Sequence, residues 1–122
     1  MPDPQSYIAM DDNIIDQTIL NALRSAIGED AMQNFLGRFL EDCRVRTKRI
    51  TEFYGKGRFS EVELEAHTLG SSAATYGAIN LEAICREIEF SKPRRNQNFQ
   101  ERIDRLNVLS EQALQALHEY II

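Results

Sequence analysis

Two histidines occur in this chain, and only one has surroundings that suit chemistry. His67 lies in the stretch Glu65–Ala78, EAHTLGSSAATYGA. If that stretch is helical, its neighbours at −4, −3, +3, +4 and +7 are Glu63, Leu64, Gly70, Ser71 and Ala74. The three on the C-terminal side are small, so the helix itself does not shield the ring. An imidazole so placed can project into solvent and act as a nucleophile on a group brought by another molecule. His118 has Leu114, Gln115, Ile121 and Ile122 around it and reads as an ordinary surface residue. A plain core-edge histidine, with Gly-Ser-Ser allowing close helix packing, remains the competing reading of His67.

Other chemistries lack their parts. No Ser–His–Asp or Cys–His arrangement accompanies His67, and no glycine-rich phosphate loop is present. Glu61, Glu63 and Glu65 precede the histidine, but only Glu63 lies one turn from it, too few ligands for a metal site. Cys43 and Cys85 are far apart, lack metal spacing, and each falls on an apolar face. They read as buried free thiols, which points to a reducing, cytoplasmic setting.

The elements that must position His67 follow from apolar periodicity. Val62, Ala66, Leu69 and Ala73 recur at helical spacing, although Gly70, Ser71 and Ser72 are weak helix formers. A conflict of this kind marks close packing or function. This helix is expected from Phe59 or Ser60 to Thr75, with a capping box at Ser60–Glu63 and Tyr76-Gly77 as its stop. Before it, a short helix capped by Asn13 or Asp16 carries Ile15, Ile19, Ala22, Leu23, Ala26 and Ile27 and ends at Gly28. A long helix from about 30 to 54 follows, with Met32, Phe35, Leu36, Phe39, Leu40, Cys43, Ile50 and Phe53 facing in. Its opposite face is basic, with Arg38, Arg44, Arg46, Lys48 and Arg49, and reads as solvated.

After His67, a helix from Ile79 or Asn80 to Phe90 turns Leu81, Ile84, Cys85 and Ile88 inward. The basic turn Ser91–Asn96 ends it, because Pro93 disfavours helix through Lys92. A last helix from about Asn98 to Tyr120 buries Phe99, Ile103, Leu106, Ala113 and Leu117, flanked by Leu109 and Leu114. No segment alternates as a strand does. The expected fold is all-α: an antiparallel up-down-up-down four-helix bundle with a short additional N-terminal helix. Residues 1–12 are expected as a flexible tail and 13–122 as the domain.

The chain's 122 residues suit one domain. A net charge of −5 disfavours nucleic acid as a partner. No apolar run approaches the ~20 residues of a membrane span, and no secretory signal is visible. A monomer is the default for one bundle with a polar exterior.

His67-Thr68-Leu69, Ser72-Ala73-Ala74-Thr75, Gly77-Ala78, Leu81 and the CREIE run Cys85–Glu89 resemble the histidine-containing phosphotransfer (HPt) domain family. The match runs without gaps from Glu65 to Glu89. The resemblance implies a phosphocarrier with His67 as phosphoacceptor. It would take a phosphoryl group from a receiver-domain aspartate or a hybrid histidine kinase and pass it to another receiver. It also implies that Glu89 accepts a hydrogen bond from Nδ1 and so orients the imidazole. No cofactor is implied in this chain; the Mg²⁺ of the reaction is expected on the partner receiver.

Two adjacent positions depart from the family pattern. Gly70 stands where a lysine is usual, and Ser71 where a glycine is usual. Both small residues are expected to keep access to the phosphohistidine open, and the Ser71 hydroxyl can donate to a phosphate oxygen. The missing lysine charge is worth about 0–1 kcal/mol if exposed, so its loss tunes transfer rather than abolishing it. Arg94 and Arg95 are candidates to replace that charge, and Leu64 is a candidate docking residue. The alternative is a degenerate module that binds a receiver or kinase without relaying; a metal-binding bundle stands third.

Overall fold

The computed structural model describes residues 14–121. Among the described residues five helices follow one another: α1 Gln17–Ile27, α2 Glu29–Gly55, α3 Phe59–Thr75, α4 Ile79–Phe90 and α5 Gln97–Ile121. No strand occurs among the described residues. The expected tail, residues 1–12, and the alternative cap Asn13 lie outside them.

Helices α2 to α5 pack in a ring, each on the next, and α5 returns to α2. Side-chain pairs set their directions. Thr47 of α2 bonds Ser110 of α5, while Thr51, one turn later, accepts from Asn107, earlier on α5. His67 of α3 pairs with Glu89 of α4, while Ser71, one turn later, meets Arg86, one turn earlier. Both pairs of helices are therefore antiparallel. Connections of three residues after α2 and after α3 force the same of those neighbours.

The core is apolar and closed. Met32, Leu36, Cys43 and Ile50 of α2 meet Val62, Ala66, Leu69 and Ala73 of α3, with Leu81, Cys85 and Ile88 of α4 and Phe99, Leu106 and Leu117 of α5. All the inward residues expected on α3 and α4 are buried. One polar seam crosses the α2–α5 contact, where Thr47 and Cys43 share the hydroxyl of Ser110 at 3.0 and 3.2 Å. Thr47 and Ser110 look solvent-facing by residue type, yet helix rotation buries both.

Three sequence expectations change. On α1, Ile19, Ala22 and Ala26 are exposed, and Leu20 is buried instead. That helix touches the bundle along one narrow edge, so Leu20, Leu23 and Ile27, at i, i+3 and i+7, are its side chains packed in or against the core. Phe35 of α2 is 41 % exposed, because the single stripe Met32–Leu36–Phe39–Cys43 already fills the facing space. The Ser60–Glu63 capping box is not formed. Helix α3 begins at Phe59, the earlier of the two expected starts, with Arg58 at its cap and no side-chain cap bond, and Glu63 pairs elsewhere.

Turns fall where glycine permits them. Asp16 caps α1 by accepting from Thr18 N at 2.9 Å, and Gly28 ends it at φ 88°. Gly77 closes α3 at φ 70°, a left-handed value that L side chains rarely adopt. Its carbonyl accepts from Asp16 N at 2.7 Å, which ties α1 to the α3–α4 turn.

Candidate functional site

The helical stripe of α3 sends Ala66 and Leu69 into the core and leaves His67 beside it, on the side of α4. The same rotation turns Glu65 the other way, onto α2. There it pairs with Arg46 at 2.8 Å and Arg49 at 3.7 Å. The three acidic residues ahead of the histidine thus have separate uses. Glu61 binds Arg58, Glu65 binds α2, and Glu63 binds Arg94 at 3.0 Å.

His67 is 57 % exposed in its side chain, whereas its partner Glu89 is 9 % exposed. Glu89 Oε2 lies 2.7 Å from His67 Nδ1. A carboxylate only accepts hydrogen bonds, so the contact assigns the proton to Nδ1 and leaves Nε2 with the lone pair. The ring is thereby held in one tautomer and one orientation. Antiparallel packing of α3 on α4 is what brings residues 22 apart in sequence to this distance.

The second oxygen of Glu89 has a second partner. Arg86, one turn earlier on α4, donates from Nη1 to Glu89 Oε1 at 3.1 Å and to the His67 carbonyl at 3.3 Å. Its Nη2 reaches Ser71 Oγ at 3.4 Å. Sequence reading missed Arg86. Its signal was present, an arginine three residues before the expected carboxylate and on the same helix face.

The small residues take more specific places than free access alone. Gly70 is buried, not open to solvent. A Cβ built on it would stand 3.0 Å from Arg86 Nη1 and 3.1 Å from Cys85 Cβ. Its bareness therefore makes room for the Arg86 guanidinium and for close approach of α4. Ser71 is exposed, and its hydroxyl donates to the His67 carbonyl at 3.1 Å.

Arg94 and Arg95 are not the charges that sit against His67. Arg94 donates to the Glu89 carbonyl at 3.1 Å and binds Glu63, so it closes the C-terminal end of α4 onto α3. Arg95 stacks over Phe59, with its guanidinium carbon 5.2 Å from the ring centre. The turn carrying both leads away from α4 toward the start of α3. The guanidinium that lies against the His67 turn is that of Arg86.

Around the site, Leu64 is 63 % exposed and Phe90, next to Glu89, is 72 % exposed. Phe90 falls off the inward stripe of α4, a signal legible in the sequence. Cys85 is fully buried under Gly70, and burial pushes its thiol up to about 12. Cys43 and Cys85 are both free.

The family model of the Hpt domain matches residues 34–120, a span that includes His67, Arg86, Glu89 and most of the bundle. The chain belongs to the Hpt domain family. It is a histidine phosphotransfer protein of the two-component phosphorelay type, and Hpt domains work with receiver domains and histidine kinases. They are phosphocarriers rather than kinases or phosphatases. Among solved structures, the chain is similar to histidine-containing phosphotransfer protein B (HptB) from Pseudomonas aeruginosa PAO1. The TM-score is 0.81 at 20 % identity, over 88 % of this chain and 94 % of that one. At that identity the likeness speaks to the fold alone, and it agrees with the helical bundle described above. Comparison with the curated proteins gives no match. No helix among the described residues is long and apolar enough to cross a membrane.

Proposed function

We propose that His67 is the phosphoacceptor of this Hpt domain. The observation that supports it is the exposed ring held through Nδ1, at 2.7 Å, by a carboxylate that is itself buried. In the forward step the Nε2 lone pair attacks the phosphorus of a receiver's aspartyl phosphate. The N–P bond forms as the P–O bond to the aspartate breaks, and that electron pair leaves with the carboxylate. The ring becomes a phosphorylated imidazolium whose Nδ1–H stays on Glu89. Glu89 supplies negative charge where the ring gains positive charge, so the intermediate is stabilised without moving a proton. The reverse sequence delivers the group to a second receiver's aspartate.

The partner brings the acidic pocket and its Mg²⁺; this chain's part is to present and orient Nε2. Leu64, on the turn before His67, offers apolar surface for a receiver, and Phe90 offers more beside Glu89. The protein acts as a monomer, and two buried free thiols suit a reducing compartment such as the cytoplasm.

The test is transfer of labelled phosphate from a phosphorylated cognate receiver. Label appears on the wild-type chain, is acid-labile, and is absent from His67→Gln. Label retained by that variant, or none on wild type with a proven donor, sinks the assignment.

A further inference from the structure

We propose that Arg86 is a positioning residue for phosphotransfer, acting through Glu89 and seated by Gly70; the role in transfer rests on His67 being the phosphoacceptor. Glu89 has two oxygens and two partners. Oε2 meets His67 Nδ1 at 2.7 Å, and Oε1 meets Arg86 Nη1 at 3.1 Å. A carboxylate held by one oxygen can still swing about its last torsion, which is broad and soft. Held by both, it has one orientation, and that orientation aims Oε2 at the ring.

The guanidinium is itself tied down. Its Nη1 also donates to the His67 carbonyl at 3.3 Å and its Nη2 to Ser71 Oγ at 3.4 Å. These contacts link α4 back to the α3 turn that carries the histidine. The planar fork of arginine serves several acceptors at once, which a lysine ammonium on a single flexible stem does less well.

Gly70 makes this possible. Any side chain there begins with a Cβ 3.0 Å from Arg86 Nη1 and 3.2 Å from Arg86 Cζ, tighter than ordinary contact. The guanidinium would have to give way by a few tenths of an ångström, away from its contacts to Glu89 and the His67 carbonyl. Gly70 and Arg86 are therefore two halves of one device, a gap on α3 and a cation from α4 that fills it. Arg94 serves the neighbouring carbonyl of Glu89 and is bound to Glu63, so it does not duplicate the contact to Oε1.

The experiment compares wild type, Arg86→Ala, Arg86→Lys, Gly70→Ala and the Arg86→Ala/Gly70→Ala double variant. Two readouts are taken: phosphoryl transfer from a receiver, and the ¹⁵N spectrum of the His67 imidazole in the unphosphorylated protein. Arg86→Ala is expected to slow transfer about tenfold and to raise the share of the Nε2–H tautomer. Arg86→Lys falls between. Gly70→Ala slows transfer about threefold, and adding it to Arg86→Ala costs nothing more, because the two act as one unit. Wild-type tautomer balance in Arg86→Ala overturns the proposal whatever the rate does. Full additivity of the two substitutions overturns the seating by Gly70. If wild type takes no label, the phosphoacceptor assignment fails separately, while the imidazole spectrum still decides whether Arg86 positions the ring.

Discussion

His67 of α3 and Glu89 of α4 meet at 2.7 Å across a helix interface, one side chain mostly in solvent and the other mostly out of it. The asymmetry has a use. A buried carboxylate is shielded from water, so its hydrogen bond to the ring is stronger than the same bond at the surface. The exposed ring remains free to meet a partner.

Replacing Glu89 tests that use directly. Glu89→Ala is expected to slow phosphoryl transfer by about tenfold or more, since the ring loses both its anchor and the countercharge. Glu89→Gln keeps an acceptor oxygen and should lose less. Single-turnover transfer from a phosphorylated receiver measures both, and equal rates for all three proteins would remove Glu89 from the mechanism.

Leu64 and Leu69 share a helix and differ in burial, 63 % exposed against fully buried. Leu64→Ala should leave stability within about 0.5 kcal/mol and weaken receiver binding about fivefold. Leu69→Ala should cost about 2–5 kcal/mol in urea unfolding. Unchanged receiver affinity in Leu64→Ala would place the docking surface elsewhere.

Two glycines predict opposite signs. Gly77 has φ 70°, and a Cβ there would stand 2.8 Å from the Asp16 carbonyl oxygen. Gly77→Ala should destabilise by about 2 kcal/mol or more and loosen α1. Gly37 lies within α2 with nothing within 4 Å of a built Cβ. Gly37→Ala should stabilise by about 1 kcal/mol. Denaturant midpoints of the two variants, one shifted down and one up, are the check.

Cys85 carries an alkaline signature. Burial raises its thiol from 9.0 to about 12 in the folded chain. Between those values the unfolded chain releases the proton and the folded one keeps it. Its contribution to stability is therefore intact below pH 9 and falls as pH rises toward 12. Unfolding free energies from pH 8 to 10.5 should decline less steeply in Cys85→Ala than in wild type. Thiol reagents should reach Cys85 only in denaturant; fast labelling of the native protein would contradict its burial.

Local pattern in the sequence determined the helices, their stops at Gly28 and Gly77, and the inward faces of α3 and α4. It also marked His67, through the small residues that follow it, and Glu89, through resemblance to the Hpt family. Such features depend on neighbours within two turns, where the 3.6-residue period and glycine's backbone freedom act. The partners of the long charged side chains were decided only by the tertiary structure. Arg86 rather than Arg94 or Arg95 reaches the histidine turn, and Gly70 proves to be its seat. Helix rotation and axial register set those pairings, and both are fixed by the fit of whole helices around the core. The exposure of Phe35 and the burial of Leu20 have the same origin. Periodicity states which residues share a face; only the packed bundle states how much of that face is covered.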